Sequence, residues 1–458
     1  MGIAKLYSQS GGNGLKINGI IEDYYAYAGE NISAGDFVEF VKGIASGTIE
    51  TSVDTAIGEE TYAGYNVISV CKLSENKVFI AHGNDSGNSK LYGIVCVIDG
   101  ATITCGTDTL LSSTSYSGYH ISTVALSDNK VFIAHSQGSD YYLYGMVCTI
   151  SDTEITVVVD KTIVGVKYTG LAISTELLPD GNVFIAYDFG NYHYLHGTVC
   201  TISETTVTIG TDTTLNGNNN GAGKVISTSL LENGNVFIAH SRSDYLYGMV
   251  CTISGTTIAA GTDTQLSSTT YTGRAISLDK ITPNKVFISH ENDSDLYGMV
   301  CSISYTSISA GTDTHIFNYT TTTDSSTLTL ATDRVLVIGI NNTTDYKMFG
   351  VICDISGTTI TLNTPKIMNS DSYTGWQTTP VLLGETIFVA HSHTQNKYYL
   401  YAQMFGVVDN QPSAQVTIAE YETQVRKATT SDIYGVAKTS GRGGDSAGHN
   451  DKVRIYTI

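Results

Sequence analysis

The sequence predicts an all-β fold assembled from seven copies of one unit, and three observations predict it. A motif recurs every 50 to 52 residues, in which a cysteine lies three residues after a glycine that follows an aromatic residue or histidine. Each copy contains apolar runs of strand length separated by Asn, Gly, Asp and Ser. Helical spacing is nowhere sustained over enough residues to compete. The repeat cysteines are Cys96, Cys148, Cys200, Cys251, Cys301 and Cys353.

The copy at residues 225–266 shows the strands in order. The first begins at Val225, and an Asn-Gly turn leads into the second at residues 236–240. The third, residues 245–253, carries the repeat cysteine, and a Ser-Gly turn opens the fourth. Four antiparallel strands in a repeat of this length are the blade of a β-propeller.

The two ends of the repeat region are incomplete and complement each other. Residues 47–57 match a fourth strand without the preceding three, and residues 380–409 supply three strands without a fourth. In that last copy we align Phe405-Gly406 with the glycine motif and Asp409 with the cysteine. Joining the two parts completes a seventh blade and leaves no unpaired edge. We therefore expect a seven-bladed propeller of four-stranded blades at residues 47–409.

Residues 1–46 and 410–458 lie outside the repeat and are also rich in strand-like runs, as at residues 37–40 and 452–456. Both segments are joined to the seventh blade, so they must meet. They predict a small β domain made from both termini, into which the propeller is inserted.

Composition excludes several classes of protein. The net charge of −19 argues against nucleic acid as a partner, because that affinity comes mostly from Lys and Arg contacts to phosphate. We expect no membrane insertion and no secretory signal, since no suitable apolar segment is found. Equivalent cysteines of neighbouring blades would lie ~10 Å apart, too far for a disulfide. Six free thiols used as small apolar fillers fit folding in a reducing cytoplasm.

Two polar positions recur without forming a catalytic set. Histidines close the second strand of five blades, and a metal would need them at one point, so we expect each to bond its local loop or the next blade. The aspartates spread round the ring, so we expect each to bond its own turn and not to act in a glycosidase pair. The sequence predicts no enzyme, no cofactor and no metal. The histidines are His82, His135, His240, His290 and His391, and the aspartates are Asp54, Asp108, Asp160, Asp212, Asp263 and Asp313.

The loops between blades carry a recurring Tyr-x-Gly and share a face with the variable loops between second and third strands. A surface rich in Tyr, Ser, Gly and Asn on a rigid frame has the composition of an antibody paratope. The alternative is that Tyr-x-Gly is a structural plug at each junction between blades. The candidate ligand-binding residues are Tyr62, Tyr116, Tyr168, Tyr271, Tyr373 and Trp376.

The terminal segments resemble the small β domain of tailed-bacteriophage virion proteins, of the head-decoration and head-fibre type. The resemblance is carried by residues 27–38, 425–428, 433–437, 443–445 and 453–456. It implies a domain that docks on the virus particle. The candidate capsid anchor consists of Phe37, Val38, Tyr434, Val436, Val453 and Ile455.

Together these features predict a non-enzymatic capsid decoration or head-fibre protein. It would assemble in the bacterial host cytoplasm, dock on the major capsid protein as a monomer or homo-oligomer, and display the propeller outward on the virion surface. Its outer face would adhere to a host-surface glycan or protein. One alternative is a tail or baseplate receptor-binding protein attached to tail proteins. The other is a bacterial propeller lectin or glycan hydrolase.

Overall fold

The computed structural model divides the chain into two compact units, residues 1–46 with 408–458 and residues 47–407. Every regular element in the described residues is a β-strand, which confirms the all-β fold class. None of these residues forms a helix long and apolar enough to cross a membrane. The structure describes residues 23–28, 37–41, 47–58, 67–84, 89–204, 206–217, 225–269, 274–292, 295–318, 325–341, 347–369, 374–384, 386–393, 399–409, 424–427, 435–437 and 452–457.

The terminal unit is a closed five-stranded barrel drawn from both ends of the chain. In its backbone register, Phe37 lies opposite Val436 and Val453 lies opposite Ala26. The other anchor candidates Val38 and Ile455 are also on these strands, whereas Tyr434 and the anchor side chains fall outside the described residues. The strands are Asp23–Ala28, Phe37–Val41, Gln424–Lys427, Gly435–Ala437 and Lys452–Thr457.

The repeat region forms seven antiparallel sheets, which confirms the seven-bladed propeller. We number the blades in chain order, with the closing blade last. Blade 1 contains Ile68–Ser74, Lys77–Asn84, Lys90–Asp99, Thr102–Cys105 and Thr109–Ser112. Blade 2 contains Ile121–Ser127, Lys130–Gln137, Tyr142–Ser151 and Glu154–Val164. Blade 3 contains Ile173–Leu177, Val183–Phe189, Tyr194–Ser203, Thr206–Ile209 and Thr213–Asn216.

The remaining blades repeat the pattern, with the fourth strand split into two segments. Blade 4 contains Ile226–Leu230, Val236–Arg242, Tyr245–Ser254, Thr257–Ala259 and Thr264–Gln265. Blade 5 contains Arg274–Thr282, Lys285–Asn292, Asp295–Ser304, Ser307–Ala310 and Thr314–Phe317. Blade 6 contains Ser326–Ala331, Arg334–Asn341, Lys347–Ser356, Thr359–Leu362 and Lys366–Ile367. Blade 7 contains Thr374–Leu383, Thr386–His393, Tyr399–Asp409, Gly47–Thr51 and Thr55–Ala56.

The N-terminal strand closes blade 7 as predicted, with Ala56 opposite Tyr401. The alignment of the last copy is wrong, however. Tyr401 lies opposite His391, as Tyr92 lies opposite His82 in blade 1. Tyr401 therefore takes the motif's aromatic position, and Phe405, not Asp409, takes the cysteine position. The resemblance of Phe405-Gly406 to the motif shifted the sequence alignment by four residues.

The buried core is divided into seven clusters, each shared by two adjacent blades. The phenylalanine of one second strand and the cysteine of the next blade fall in the same cluster, as Phe237 and Cys301 do. Between blades 6 and 7 the sizes are reversed: Leu336 takes the phenylalanine position and Phe405 the cysteine position. The repeat cysteine is thus a small filler opposite a large ring, which confirms that prediction.

The glycine of the repeat motif leaves room for the same phenylalanine ring. A Cβ atom on Gly248 would lie 3.0 Å from Cζ of Phe237 and 2.9 Å from a methyl carbon of Leu266. Both contacts are tighter than ordinary packing, so a side chain on Gly248 would displace its neighbours; blade 7 has Ala402 at the equivalent position.

A belt of hydroxyl groups joins the first strands, which contact one another around the ring. In five interfaces a serine Oγ accepts a hydrogen bond of 3.0–3.2 Å from a backbone N–H of the next blade. In blade 7 the residue equivalent to these N–H donors is Pro380, which has no N–H. Ser326 of blade 6 therefore donates to the carbonyl of Thr378, at 2.5 Å. Thr379 donates to the carbonyl of Ile68 at 2.8 Å and closes the belt. The hydroxyl groups named here are therefore paired between blades.

One repeat cysteine is not free. Cys96 forms a disulfide with Cys105, which lies opposite it on the neighbouring strand of blade 1 at a Cα–Cα distance of 4.0 Å. The distance between blades excludes a disulfide between equivalent positions of different blades but not between neighbouring strands of one blade. The expectation of six free repeat thiols is thus wrong for Cys96.

The other thiols should not react while the protein is folded. Six cysteines, including Cys71, are free and buried, and burial raises the pKa of each thiol to about 12. We expect Ellman's reagent at pH 8 to label none rapidly in native protein, six after denaturation and eight after denaturation with reduction. Eight labelled thiols without reductant would contradict the disulfide.

Candidate functional site

The recurring histidines and aspartates meet inside the blades. In five blades Nε2 of the fully buried histidine lies 2.8–3.0 Å from the aspartate Oδ1, and Nδ1 lies 2.8–3.4 Å from the carbonyl of the next residue. Both neighbours accept hydrogen bonds, so both ring nitrogens donate only in the cationic imidazole. The tyrosine of the third strand lies beside each ring, with centroids 5.8–6.2 Å apart.

The two exceptional blades show that these residues belong to one unit. In blade 3 the aromatic residues are exchanged: Tyr187 takes the histidine position, and His196 takes the tyrosine position. Both bond Oδ1 of Asp212, at 2.5 Å and 2.8 Å. Blade 6 has Gly339 and Pro365 at the histidine and aspartate positions, so the polar pair is replaced as a whole.

The histidine–aspartate pairs are therefore part of the propeller's framework. Each histidine bonds a local carbonyl, as predicted. Its second partner is an aspartate of its own blade and not a group of the next blade. The prediction that each aspartate bonds its own turn is wrong, because the carboxylate bonds the histidine of the second strand in five blades, and Tyr187 and His196 in blade 3. In the described part of the chain, no group of three or more His, Cys, Asp or Glu side chains could hold a metal ion.

A cluster of aromatic rings lies in the loops over blade 2. We call it the tyrosine cluster; it consists of Tyr116, Tyr119, His120, Tyr141 and Tyr168. Tyr141 is its centre, with ring centroids 5.4 Å from Tyr116, 5.6 Å from Tyr119 and 6.5 Å from Tyr168. All five side chains are half-buried. The loops entering and leaving blade 2 and the loop within it thus contribute to one aromatic surface.

The backbone of this cluster is held in an unusual conformation. Tyr116, Tyr141 and Tyr168 have φ angles of 63°, 51° and 59°, a left-handed conformation that bulky residues rarely adopt. The surrounding hydrogen bonds fix it: the N–H of Tyr168 donates to the carbonyl of Asp140 at 2.7 Å, and Ser136 Oγ donates to that of Tyr116 at 2.7 Å. Such conformations cluster at functional sites, where the surrounding structure maintains them.

Two residues of the Tyr-x-Gly motif at residues 116–118 have the structural role. Its middle residue is the plug: Ser117 Oγ is buried, accepts from the N–H of Leu91 at 2.9 Å and donates to the carbonyl of Thr114 at 2.7 Å. The glycine is also structural, since a Cβ on Gly118 would lie 2.3 Å from the Lys90 carbonyl oxygen. The tyrosine has neither task, and its ring remains partly exposed at the loop face.

Two buried polar atoms near the cluster have no hydrogen-bond partner among the described residues, Nε2 of His120 and Oε1 of Gln137. Burial lowers the pKa of His120 to about 4, so its ring is neutral at pH 7. Burial and the neighbouring tyrosines raise the pKa of Tyr141, so its hydroxyl remains protonated. The surface therefore combines apolar rings with uncharged polar groups.

Of the predicted ligand-binding residues, the structure brings Tyr116 and Tyr168 into one surface. Tyr62, Tyr271 and Tyr373 lie outside the described residues, as does the side chain of Trp376, whose backbone belongs to the first strand of blade 7. Sequence reasoning did not single out Tyr119, His120 and Tyr141. The density of aromatic residues in Tyr-Ser-Gly-Tyr-His at residues 116–120 is the signal that could have identified the first two.

The sequence matches no protein-family model and no curated protein. Among solved structures, the BP39L lectin from Burkholderia pseudomallei matches with TM-score 0.59 and 10% identity, over 77% of this chain and 97% of that chain. A protein from Lactobacillus plantarum matches with TM-score 0.50 and 12% identity, over 77% of this chain and 98% of that chain. The polysaccharide lyase Uly1 matches with TM-score 0.49 and 9% identity, over 85% and 100%. Likeness at such low identity shows the propeller fold and nothing about activity.

Proposed function

We propose that the propeller is a non-catalytic adhesion module that binds carbohydrate through the tyrosine cluster. The observation that carries the proposal is the set of rings around Tyr141, contributed by three loops and held by hydrogen bonds. A pyranose presents a face of C–H groups, which packs on the electron-rich face of an aromatic ring. Its hydroxyl groups can satisfy polar atoms such as Nε2 of His120.

The chemistry of the site suits binding better than hydrolysis. The recurring carboxylates are already bonded within their blades, as Asp160 is to His135 at 3.0 Å. The cluster contains no carboxylate, and its His120 ring is neutral at pH 7. The fold shared with the Burkholderia pseudomallei lectin is compatible with this role.

Replacement of Tyr116 and Tyr168 by glycine should reduce binding to a glycan array by at least about tenfold, since aromatic anchors dominate such interfaces. Glycine accepts the positive φ at both positions, so the thermal midpoint should be unchanged or higher. Tyr192→Ala is the matched control, because Tyr192 is 62% exposed and is not part of the cluster. Equal glycan binding by the double variant and the wild type would refute the proposed site.

We further propose that the terminal barrel attaches the propeller to a tailed-phage capsid as a decoration or head-fibre protein. The support is the resemblance of the terminal segments, together with a barrel that draws strands from both of them. Such an anchor would dock on the major capsid protein and leave the propeller on the virion surface.

Cryo-electron microscopy of the parent phage tests the attachment. A seven-bladed disc on the capsid would support decoration, and a disc at the tail tip would indicate a receptor-binding protein attached to tail proteins. Antibody labelling that finds the chain on no particle would leave a bacterial lectin or hydrolase, to be separated by glycan-degradation assays.

A further inference from the structure

Two aspartates of the repeat, Asp263 and Asp54, receive a second donor from the preceding blade. Four residues after the aspartate position of blade 3 lies Asn216, whose Nδ2 donates to Oδ2 of Asp263 in blade 4. The equivalent residue of blade 6 is Asn369, whose Nδ2 donates to Oδ2 of Asp54 in blade 7 at 2.7 Å. At these interfaces a carboxamide thus covers the carboxylate oxygen that the histidine does not use.

The interface between blades 7 and 1 is one of five that lack this carboxamide; in the other four the equivalent residue is Ser112, Val164, Ser267 or Phe317. Between blades 7 and 1 it is Gly58, whose N–H donates to the carbonyl of Leu400 at 3.3 Å, as that of Asn369 donates to Met348 at 3.4 Å. The facing carboxylate is Asp108, with a side chain only 4% exposed and Oδ1 2.9 Å from Nε2 of His82. Within the described part of the chain, its Oδ2 is buried and has no hydrogen-bond partner. A buried acceptor without a donor is costly, so Asp108 would gain from one.

The missing side chain leaves a space that a ligand can enter. A cleft of about 400 Å³ opens between the fourth strands of blades 7 and 1, lined by Gly58 and Asp108. Ile57 and Ile103 supply apolar walls, and Thr55 lies at the same cleft. The cleft therefore combines one unsatisfied acceptor with small apolar surfaces, the usual composition of a small-molecule site.

We propose that this cleft binds an acetamido group, whose amide N–H donates to Oδ2 of Asp108 and whose methyl group packs between Ile57 and Ile103. The asparagines that face Asp263 and Asp54 show that a neutral carboxamide fits beside the corresponding oxygen, which in Asp263 also pairs with Arg242. The site is independent of the tyrosine cluster.

An acetamido group occurs in N-acetylated sugars and in acetylated lysine side chains. Titration of the full-length protein with N-acetylglucosamine and with Nε-acetyl-lysine, followed by saturation-transfer NMR, distinguishes the two. Glucose and lysine are the matched probes without the acetyl group. We expect one acetylated probe to saturate a single site and its unacetylated counterpart to bind at least tenfold more weakly.

Two variants locate the binding. Gly58→Asn supplies an internal amide to Asp108, so affinity for the acetylated probe should fall at least tenfold. Asn369→Gly opens the equivalent space beside Asp54, so the number of sites should rise from one to two. This second variant tests the proposed site even if Gly58→Asn does not fold. Any of three results would overturn the proposal. Both acetylated probes could fail to saturate the wild type, glucose or lysine could bind equally well, or affinity and stoichiometry could be unchanged in the variants.

Discussion

Replacement of His82 by alanine is expected to destabilise the protein by about 3–5 kcal/mol, the range observed when one partner of a buried pair is removed. The His82 side chain is fully buried, and that of Asp108 is 4% exposed. Without the imidazole, both carboxylate oxygens of Asp108 would lack a donor in the described part of the chain. Equilibrium denaturation in urea measures the change in the free energy of unfolding.

The pair of His290 and Asp313 provides a comparison for this prediction. His290→Ala should cost less than His82→Ala, because the Asp313 side chain is 21% exposed and water can reach it. The double variant His82→Ala, Asp108→Asn should regain part of the loss, since no uncompensated charge remains. If His82→Ala and His290→Ala were equally destabilising and the double variant regained nothing, burial of the carboxylate would not be the cause.

Truncation of Phe237 to alanine should also destabilise the propeller by about 3–5 kcal/mol. The ring is fully buried and shares a core cluster with Cys301 of the next blade and Leu266 of its own. Its removal leaves a cavity between two sheets that are otherwise closely packed. The midpoint of urea denaturation should fall, with the slope of the transition unchanged.

The chain itself supplies the control for this prediction. Between blades 6 and 7, Leu336 and Phe405 take the places of the phenylalanine and the cysteine. The double variant Phe237→Leu, Cys301→Phe copies that arrangement. It should be more stable than Phe237→Ala, because a large side chain still fills the interface from the other blade. A double variant no more stable than Phe237→Ala would mean that complementary volume does not govern this interface.

Part of the candidate site could be predicted from sequence. Tyr116 and Tyr168 were identified because Tyr-x-Gly recurs at junctions that antiparallel connections place on one face. Tyr141 could not be placed between them, because the distance between its loop and the two junctions depends on how blades pack. The separate roles of Ser117 and Tyr116 within one motif depend in the same way on which side chain the fold buries.

The sequence by itself determined the number of blades and the closing strand. These follow from apolar periodicity and chain connectivity, which are local properties of the chain. The tertiary structure alone decided that His82 bonds Asp108, that Cys96 bonds Cys105 and that Gly58 leaves a cleft. Each of these depends on strand register or on packing between blades, where a shift of one residue turns a side chain to the opposite face.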